Sequence, residues 1–378
     1  YLTASLSRMT PKSTWMIRSG VETNRQWDNI LAGNTQYLEN QKSTILDSRQ
    51  YSRESTVKPT LYAYFNKNIS KNQNFDAVLD CYYARNQYKR DYLEDGSFIS
   101  DVDEYYFYSK LNANYNISLP RKNYLTFSLH EYLRVSQDDY NGTSKYWQHL
   151  RSSETIFFMD YNKRWNRLML DVNPGISRLV YRLHGDEAVK HVAPRLQLSS
   201  SWMPDKLQRI RLFFSLGNTF PTLSTINHVD QQIDRVMIRR GNPNMDNSTL
   251  LGPAFTYAIN YKQWSTLLSC YYMYMSNAIV NTYSVEGGNI INSFSSDARS
   301  HQTSASLSVT WKPSYNFNAK MDGIFTNSIV SNAVHERQNG WLIGLQANYY
   351  TGDFSFSASC KSPIKSLENY QYHLRTPW

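Results

Sequence analysis

From Tyr105 to Leu119 the chain alternates. Odd positions carry Tyr105, Phe107, Leu111, Ala113, Tyr115, Ile117 and Leu119, broken only by Ser109. Even positions carry Tyr106, Tyr108, Lys110, Asn112, Asn114, Asn116 and Ser118. A period of two puts one set on each face of a β-strand. The same pattern runs through 75–83 (Phe75, Ala77, Leu79, Cys81, Tyr83) and 341–349 (Trp341, Ile343, Leu345, Ala347, Tyr349). It recurs at 194–202, 210–216, 255–261, 305–311 and 354–360. About 15 alternating residues extend ~50 Å at ~3.3 Å each, far beyond the ~5–6 residues of an ordinary strand. A tilted membrane-spanning strand needs about 9–11.

Short polar turns are expected near Thr10-Pro11-Lys12, Lys71-Asn72-Gln73, Pro120-Arg121-Lys122, Asn162-Lys163-Arg164, Met203-Pro204-Asp205, Tyr261-Lys262-Gln263, Lys312-Pro313-Ser314 and Thr351-Gly352-Asp353. Between them lie stretches expected to be longer loops: 24–56, 87–102, 134–154, 184–192, 217–250, 280–300, 327–340 and from 361 on. Eight turns with two strands per period give about sixteen strands. Short turns at one end and long loops at the other describe a large antiparallel transmembrane β-barrel, all-β, in an outer membrane of the Gram-negative type. A propeller also repeats every 40–50 residues, but needs four short strands per blade and a recurrent signature, neither of which is present.

Tryptophan placement agrees. Trp15, Trp165, Trp202, Trp264 and Trp311 each lie within a few residues of a short turn, with Tyr124, Tyr315 and Tyr350 nearby; Trp341 opens a strand at the opposite end. Indole rings favour the membrane–water boundary, so these five tryptophans are the expected interface girdle. Lipid outside and water inside also account for a mean hydropathy of −0.59 in a membrane protein. In hydrocarbon an unpaired backbone amide is costly, so only a helix or a closed sheet spans.

The 378 residues include 30 Tyr, 16 Phe and 9 Trp. This aromatic content excludes disorder, and no stretch is apolar enough for a spanning helix. The 3 cysteines, Cys81, Cys270 and Cys360, sit in alternating segments without metal-like neighbours. The net charge of +9 is scattered among polar residues rather than gathered into a nucleic-acid footprint. The 8 histidines lack ligand spacing, and no nucleophile-elbow or phosphate-loop motif occurs. No cofactor, metal or enzymatic activity is expected. Asp138-Asp139 and Asp101/Asp103/Glu104 are the acidic groups that a hydrolase would recruit, and Tyr140, Trp147, His149 and Trp27 are aromatic or ring-bearing candidates for ligand contact. The opening Tyr1 and the terminal Thr376-Pro377-Trp378 suggest that residues 1–378 are a fragment of a barrel.

Three stretches resemble the barrel of TonB-dependent outer-membrane receptors: Phe220-Pro221-Thr222-Leu223-Ser224-Thr225-Ile226, Arg240-Gly241-Asn242-Pro243-Asn244-Met245, and Tyr271-Tyr272-Met273-Tyr274-Met275-Ser276-Asn277-Ala278-Ile279. The resemblance covers about 209–312. Met245 stands where Leu is usual and Asn247 where an acid is common. It implies a 22-stranded barrel, of which about 16 strands are present, an N-terminal plug domain absent from this sequence, and a TonB-type energy-coupling partner. It also implies uptake of a glycan, peptide or metal chelate, and possible capping by a surface lipoprotein. A passive porin or adhesin barrel and a secreted all-β glycan-binding or hydrolytic protein are the alternatives.

Overall fold

The computed structural model describes residues 1–39, 42–143, 145–332, 335–368 and 372–375; the terminal Thr376-Pro377-Trp378 lies outside them. The first ten strands are β1 (Leu2–Met9), β2 (Ser13–Glu39), β3 (Lys42–Ser70), β4 (Gln73–Leu93), β5 (Ser97–Leu119), β6 (Asn123–Gly142), β7 (Tyr146–Arg164), β8 (Leu168–Leu183), β9 (Val189–Trp202) and β10 (Gln208–Thr219). One helical turn, α1 (Leu223–Ile226), and a small hairpin, β11 (Asp230–Gln232) and β12 (Met237–Arg240), follow. The chain then continues as β13 (Ser248–Tyr261), β14 (Trp264–Glu286), β15 (Asn289–Trp311), β16 (Phe317–Ser331), β17 (His335–Thr351) and β18 (Phe354–Lys361), and ends in β19 (Lys365–Glu368) and β20 (Tyr372–Arg375).

The main sheet has 18 strands. All but β11 and β12 form an antiparallel meander, each strand in register with the next. The two exceptions leave the sixteen that turn counting predicts. Seven of the eight short turns fall where the sequence puts them. The fourth slides to Trp165–Arg167, because Asn162, Lys163 and Arg164 still pair with β8.

Most of the expected long loops are not loops. Residues 24–39 and 42–56 extend β2 and β3 to 27 and 29 residues. The stretches 87–102, 134–154, 280–300 and 327–340 are likewise mostly strand. The physical reason is solvent on both faces. Beyond the membrane a ribbon needs no apolar face, so its period-two signal fades while its ladder persists. Gly287 and Gly288 show how tight these far hairpins are: both have positive φ (58° and 86°) between the paired Glu286 and Asn289. A two-residue turn of that hand favours glycine at both places. Among the described residues the one long connection is 220–247, within the expected 217–250.

The two faces of the sheet differ sharply. Along β15 the odd residues Trp311, Leu307 and Thr303 are exposed, whereas the even residues Ser304, Ser300 and Ala298 are buried. The exposed set continues across strands in register: Leu268–Leu307–Gly323 and Trp264–Trp311–Ala319. Large apolar side chains on this face, such as Leu212, Phe157, Met321 and Ile343, have no second protein layer over them. The opposite face carries Asn, Ser, Lys, Asp and Tyr and contacts the connection 217–250. The apolar face therefore looks outward and the polar face lines the inside of the curl. One outward acid interrupts the band: Glu131 accepts hydrogen bonds from Ser153 (2.7 Å) and Thr155 (2.5 Å), which offsets its exposure to an apolar setting.

Candidate functional site

The tryptophans gather at the short-turn end. Trp264 and Trp311 are register partners, their rings stacked 5.6 Å apart at 19°. Trp202 is outward between Leu168 and Ile210, and Trp15 is outward between Arg8 and Phe65. Trp165 sits in its turn, half exposed. Tyr124 and Tyr350 do not join this row. They share the inward parity of Asn162 and Ser355, their register partners. Tyr349 faces outward instead. Eight and ten residues further along β14, outward Tyr272 and Tyr274 flank His301, and on β17 outward Trp341 lies 4.4 Å from the Phe325 ring. Ten tilted residues rise about 25 Å, the height of an apolar barrel band.

Inside, the connection between β10 and β13 folds into the lumen as a strap. Helical turn α1 buries Leu223 and Ile226 against Leu150, Leu179, Tyr181 and Leu183 of the inner wall, with Met245 beside them. Asn227 builds the strap's corner. Its Nδ2 donates to the Leu223 and Ser224 carbonyls, and its Oδ1 accepts from the Val229 N–H. The Arg240-Gly241-Asn242 segment returns past this corner. A Cβ on Gly241 would meet the Asn227 carbonyl oxygen at 2.2 Å, and the Asn242 N–H donates to the Thr225 carbonyl at 2.7 Å. The resemblance motifs Phe220–Ile226 and Arg240–Met245 are thus the two halves of one packed corner. Gly241→Ala is expected to cost about 1–3 kcal/mol of strap stability. Protease accessibility between 220 and 247 measures it, and an unchanged cleavage rate would refute the close approach.

The strap reaches across the lumen. Gln231 Nε2 donates to Ser100 Oγ (3.2 Å), Arg90 donates to the Ile233 carbonyl (3.2 Å), and Arg235 pairs with Asp95 (3.3 Å). Strand β12 also pairs in parallel with β15 through Met237–Ile290 and Ile238–Ile291. Contacts to strands so far apart in the meander require the sheet to curl round the strap.

Strap and wall enclose a cavity of about 900 Å³. Register explains its lining. Across β4–β7 run the inward rows Asn86–Glu104–Asp138–Gln148, Ala84–Tyr106–Ser136–Leu150 and Tyr82–Tyr108–Arg134–Ser152. Below them Tyr132 pairs with Glu154. Glu154 is bound by Arg195 at 2.8 Å; Arg195 Nε donates to Ser177 Oγ (3.1 Å), which donates to Asn218 Oδ1 (3.1 Å) at the strap's root. Arg134 lies over the Phe220 ring at 4.9 Å.

Val135 is the last apolar outward residue of β6, so Asp138 and Tyr140 lie beyond the band. Burial and the Glu104 charge push the Asp138 carboxyl up to about 7. Burial pushes Tyr140 up to about 12, so it stays neutral. A raised acid favours the folded state while protonated; that advantage is complete below 3.8 and is lost as pH rises through about 7. The sequence candidates divide accordingly. Glu104, Asp138 and Tyr140 meet in the cavity. Asp103 and Asp139 pair on the opposite face. Trp147 and His149 also point outward, the Trp147 ring meeting His184 edge-on at 4.5 Å, and exposed Trp27 lies far along β2. Sequence reading singled out neither Arg134, Glu154 nor Arg195. Arg195 lies in the alternating run 194–202, but Arg134 and Glu154 fall in the stretch 134–154 expected to be a loop, and nothing in one strand says which other strand lies beside it.

No family model matches the chain, and no curated protein matches it. Solved structures with a similar fold include the copper transporter OprC (TM-score 0.66, 10% identity, 96% of this chain and 58% of that chain). FpvA of P. aeruginosa bound to heterologous pyoverdines gives 0.61 at 6% identity, covering 99% and 61%. The ferric-catecholate import receptor Fiu from E. coli gives 0.56 at 6% identity, covering 96% and 68%. The chain spans about three-fifths of the length of the first two. At such identities the likeness is one of fold: the chain has the β-barrel fold of the TonB-dependent outer-membrane receptors.

Proposed function

We propose that this chain is most of the barrel of an energised uptake receptor in a Gram-negative outer membrane. The observation that carries the reading is the outward apolar band without a protein layer over it, bounded at one end by aromatic rings. In this reading Trp15, Trp165, Trp202, Trp264 and Trp311 mark the periplasmic interface, and Trp341 with Phe325, Tyr272 and Tyr274 the outer one. Outer-membrane lipid is then the solvent of the odd-numbered face of β15 and its register partners. The solved proteins of similar fold are named as a copper transporter, a pyoverdine-bound receptor and a ferric-catecholate importer, which supports import of a nutrient rather than structural anchoring. A plug domain and a TonB-type periplasmic protein complete the machine. The cargo is a glycan, peptide or metal chelate, held between strap, inner wall and plug.

The β2–β3 hairpin projects beyond the band and exposes Trp27, Ile30, Leu31, Leu38 and Ile45. Such apolar surface on a projecting ribbon suits a surface lipoprotein partner. The barrel reading is tested on the complete gene product. It should fractionate with the outer membrane and run faster on denaturing gels before boiling than after. A soluble protein with no heat-dependent shift would remove the proposal. Uptake that persists without the inner-membrane proton gradient would favour a passive porin instead.

A further inference from the structure

The cavity under the strap holds two facing acids with no ion-pair partner among the described residues. Glu104 and Asp138 are register partners on the inner wall, which brings their Cβ atoms about 4.5–5.5 Å apart. Neither forms an ion pair among the described residues. Asp138 is buried, with Ser136 Oγ at 3.4 Å as its hydrogen-bond donor. Glu104 receives one bond, from Asn86 Nδ2 at 2.5 Å. Ser152 is 3% exposed, lines the cavity, and its Oγ lacks a partner. The two arginines of the cavity are engaged elsewhere. Arg195 holds Glu154, and Arg134 lies over Tyr108, Tyr132 and Phe220 and hydrogen-bonds Tyr106.

Two facing acids with no cation paired to either are unfavourable unless one keeps its proton or a cation enters. The rings of Tyr88, Tyr106 and Tyr140 line the same end of the cavity. Aromatic faces attract organic cations, most strongly where water is excluded. Among the described residues no group of three His, Cys, Asp or Glu is placed to hold a metal ion. The chemistry that fits is a cation with N–H donors and a surface that stacks.

We propose that this cavity receives a ligand bearing a guanidinium or primary ammonium group, seated between Glu104 and Asp138 against tyrosine rings. The assignment rests on the uptake-receptor reading for the ligand's route, and it narrows the cargo to a basic peptide or a similar amine-bearing nutrient. Glu104 on β5 and Asp139 on β6 act on Asp138, and the neighbouring Tyr140 feels Asp138, Glu104 and Arg239 of the strap. Within that group Asp138 is the acid whose ionisation falls near neutral pH, so binding strengthens as pH rises through about 7.

The probe is Nα-acetyl-arginine amide, with Nα-acetyl-citrulline amide as its uncharged isostere. Binding to the purified full-length receptor in detergent is followed by calorimetry at pH 8 and pH 5.5. The arginine probe should bind saturably at pH 8, at least tenfold more tightly than the citrulline probe, and should weaken at least tenfold at pH 5.5. Asp138→Asn should lose at least tenfold at pH 8 and most of the pH dependence. Glu104→Gln should weaken binding as well. Equal binding of the two probes, an unaffected Asp138→Asn, or calcium binding that depends on Asp138 and displaces the probe would each overturn the assignment. Heat-dependent gel mobility is measured on the same variants. A receptor that keeps its shift but ignores the probe refutes the cationic ligand and leaves the barrel reading standing.

Discussion

Arg195→Ala is expected to destabilise the folded protein by about 3–5 kcal/mol. Arg195 and Glu154 meet at 2.8 Å with 14% and 8% of their side chains exposed. Removing the guanidinium leaves the Glu154 carboxylate in a closed wall beside Tyr132, without the cation that offsets its desolvation. It also removes the donor to Ser177 that continues to Asn218 at the base of the strap. Breaking one half of a buried pair is therefore much worse than replacing both halves. Arg195→Met combined with Glu154→Gln is expected to recover most of the loss. Reversible urea unfolding in lipid vesicles measures all three. A single variant within 1 kcal/mol of the parent would show that water reaches Glu154, and would remove the pair from any role in anchoring the strap.

The second large effect distinguishes the two faces of one strand. Leu307→Arg is expected to cost about 2–4 kcal/mol, because position 307 faces outward near the middle of the band, four residues from Trp311. Ser308→Arg, one residue on, points into the curl and should change stability by less than about 1 kcal/mol. The same unfolding assay compares them. Equal costs would mean that the two faces share one environment, which no membrane barrel allows.

The barrel was legible because lipid imposes its pattern directly on single residues. Ile343, Leu345 and Ala347 alternate with Leu342, Gly344 and Gln346, and that alternation needs no knowledge of the neighbours. Turns were legible for a similar reason. Pro313 and Gly352 announce a break locally, and only Trp165–Arg167 moved, since Lys163 still found a ladder partner in Leu170. The far halves of β2 and β3 were not legible. Arg25, Asp28, Arg49 and Arg53 look like loop residues, yet they ride on a ladder wet on both sides, where Arg53 and Asp28 simply pair across strands at 2.9 Å. The cavity was half legible. Glu104 and Asp138 stood out as acids in a row of candidates, but their facing each other depends on the β5–β6 register. Their separation from Asp103 and Asp139 depends on the same register. A one-residue slip would have set Glu104 opposite Asp139, or Asp103 opposite Asp138.

Strands β10 and β13 run in unbroken register from Gln208–Ile259 to Thr219–Ser248, as though the residues between Thr219 and Ser248 had been inserted into an ordinary hairpin. Nothing in that ladder depends on what the insert contains. The wall thus closes its own hydrogen bonds without the insert, while the insert leans on the wall through Leu223 and Ile226. Replacing the insert with a two-residue turn between Thr219 and Ser248 would therefore leave the β10–β13 ladder its full set of partners.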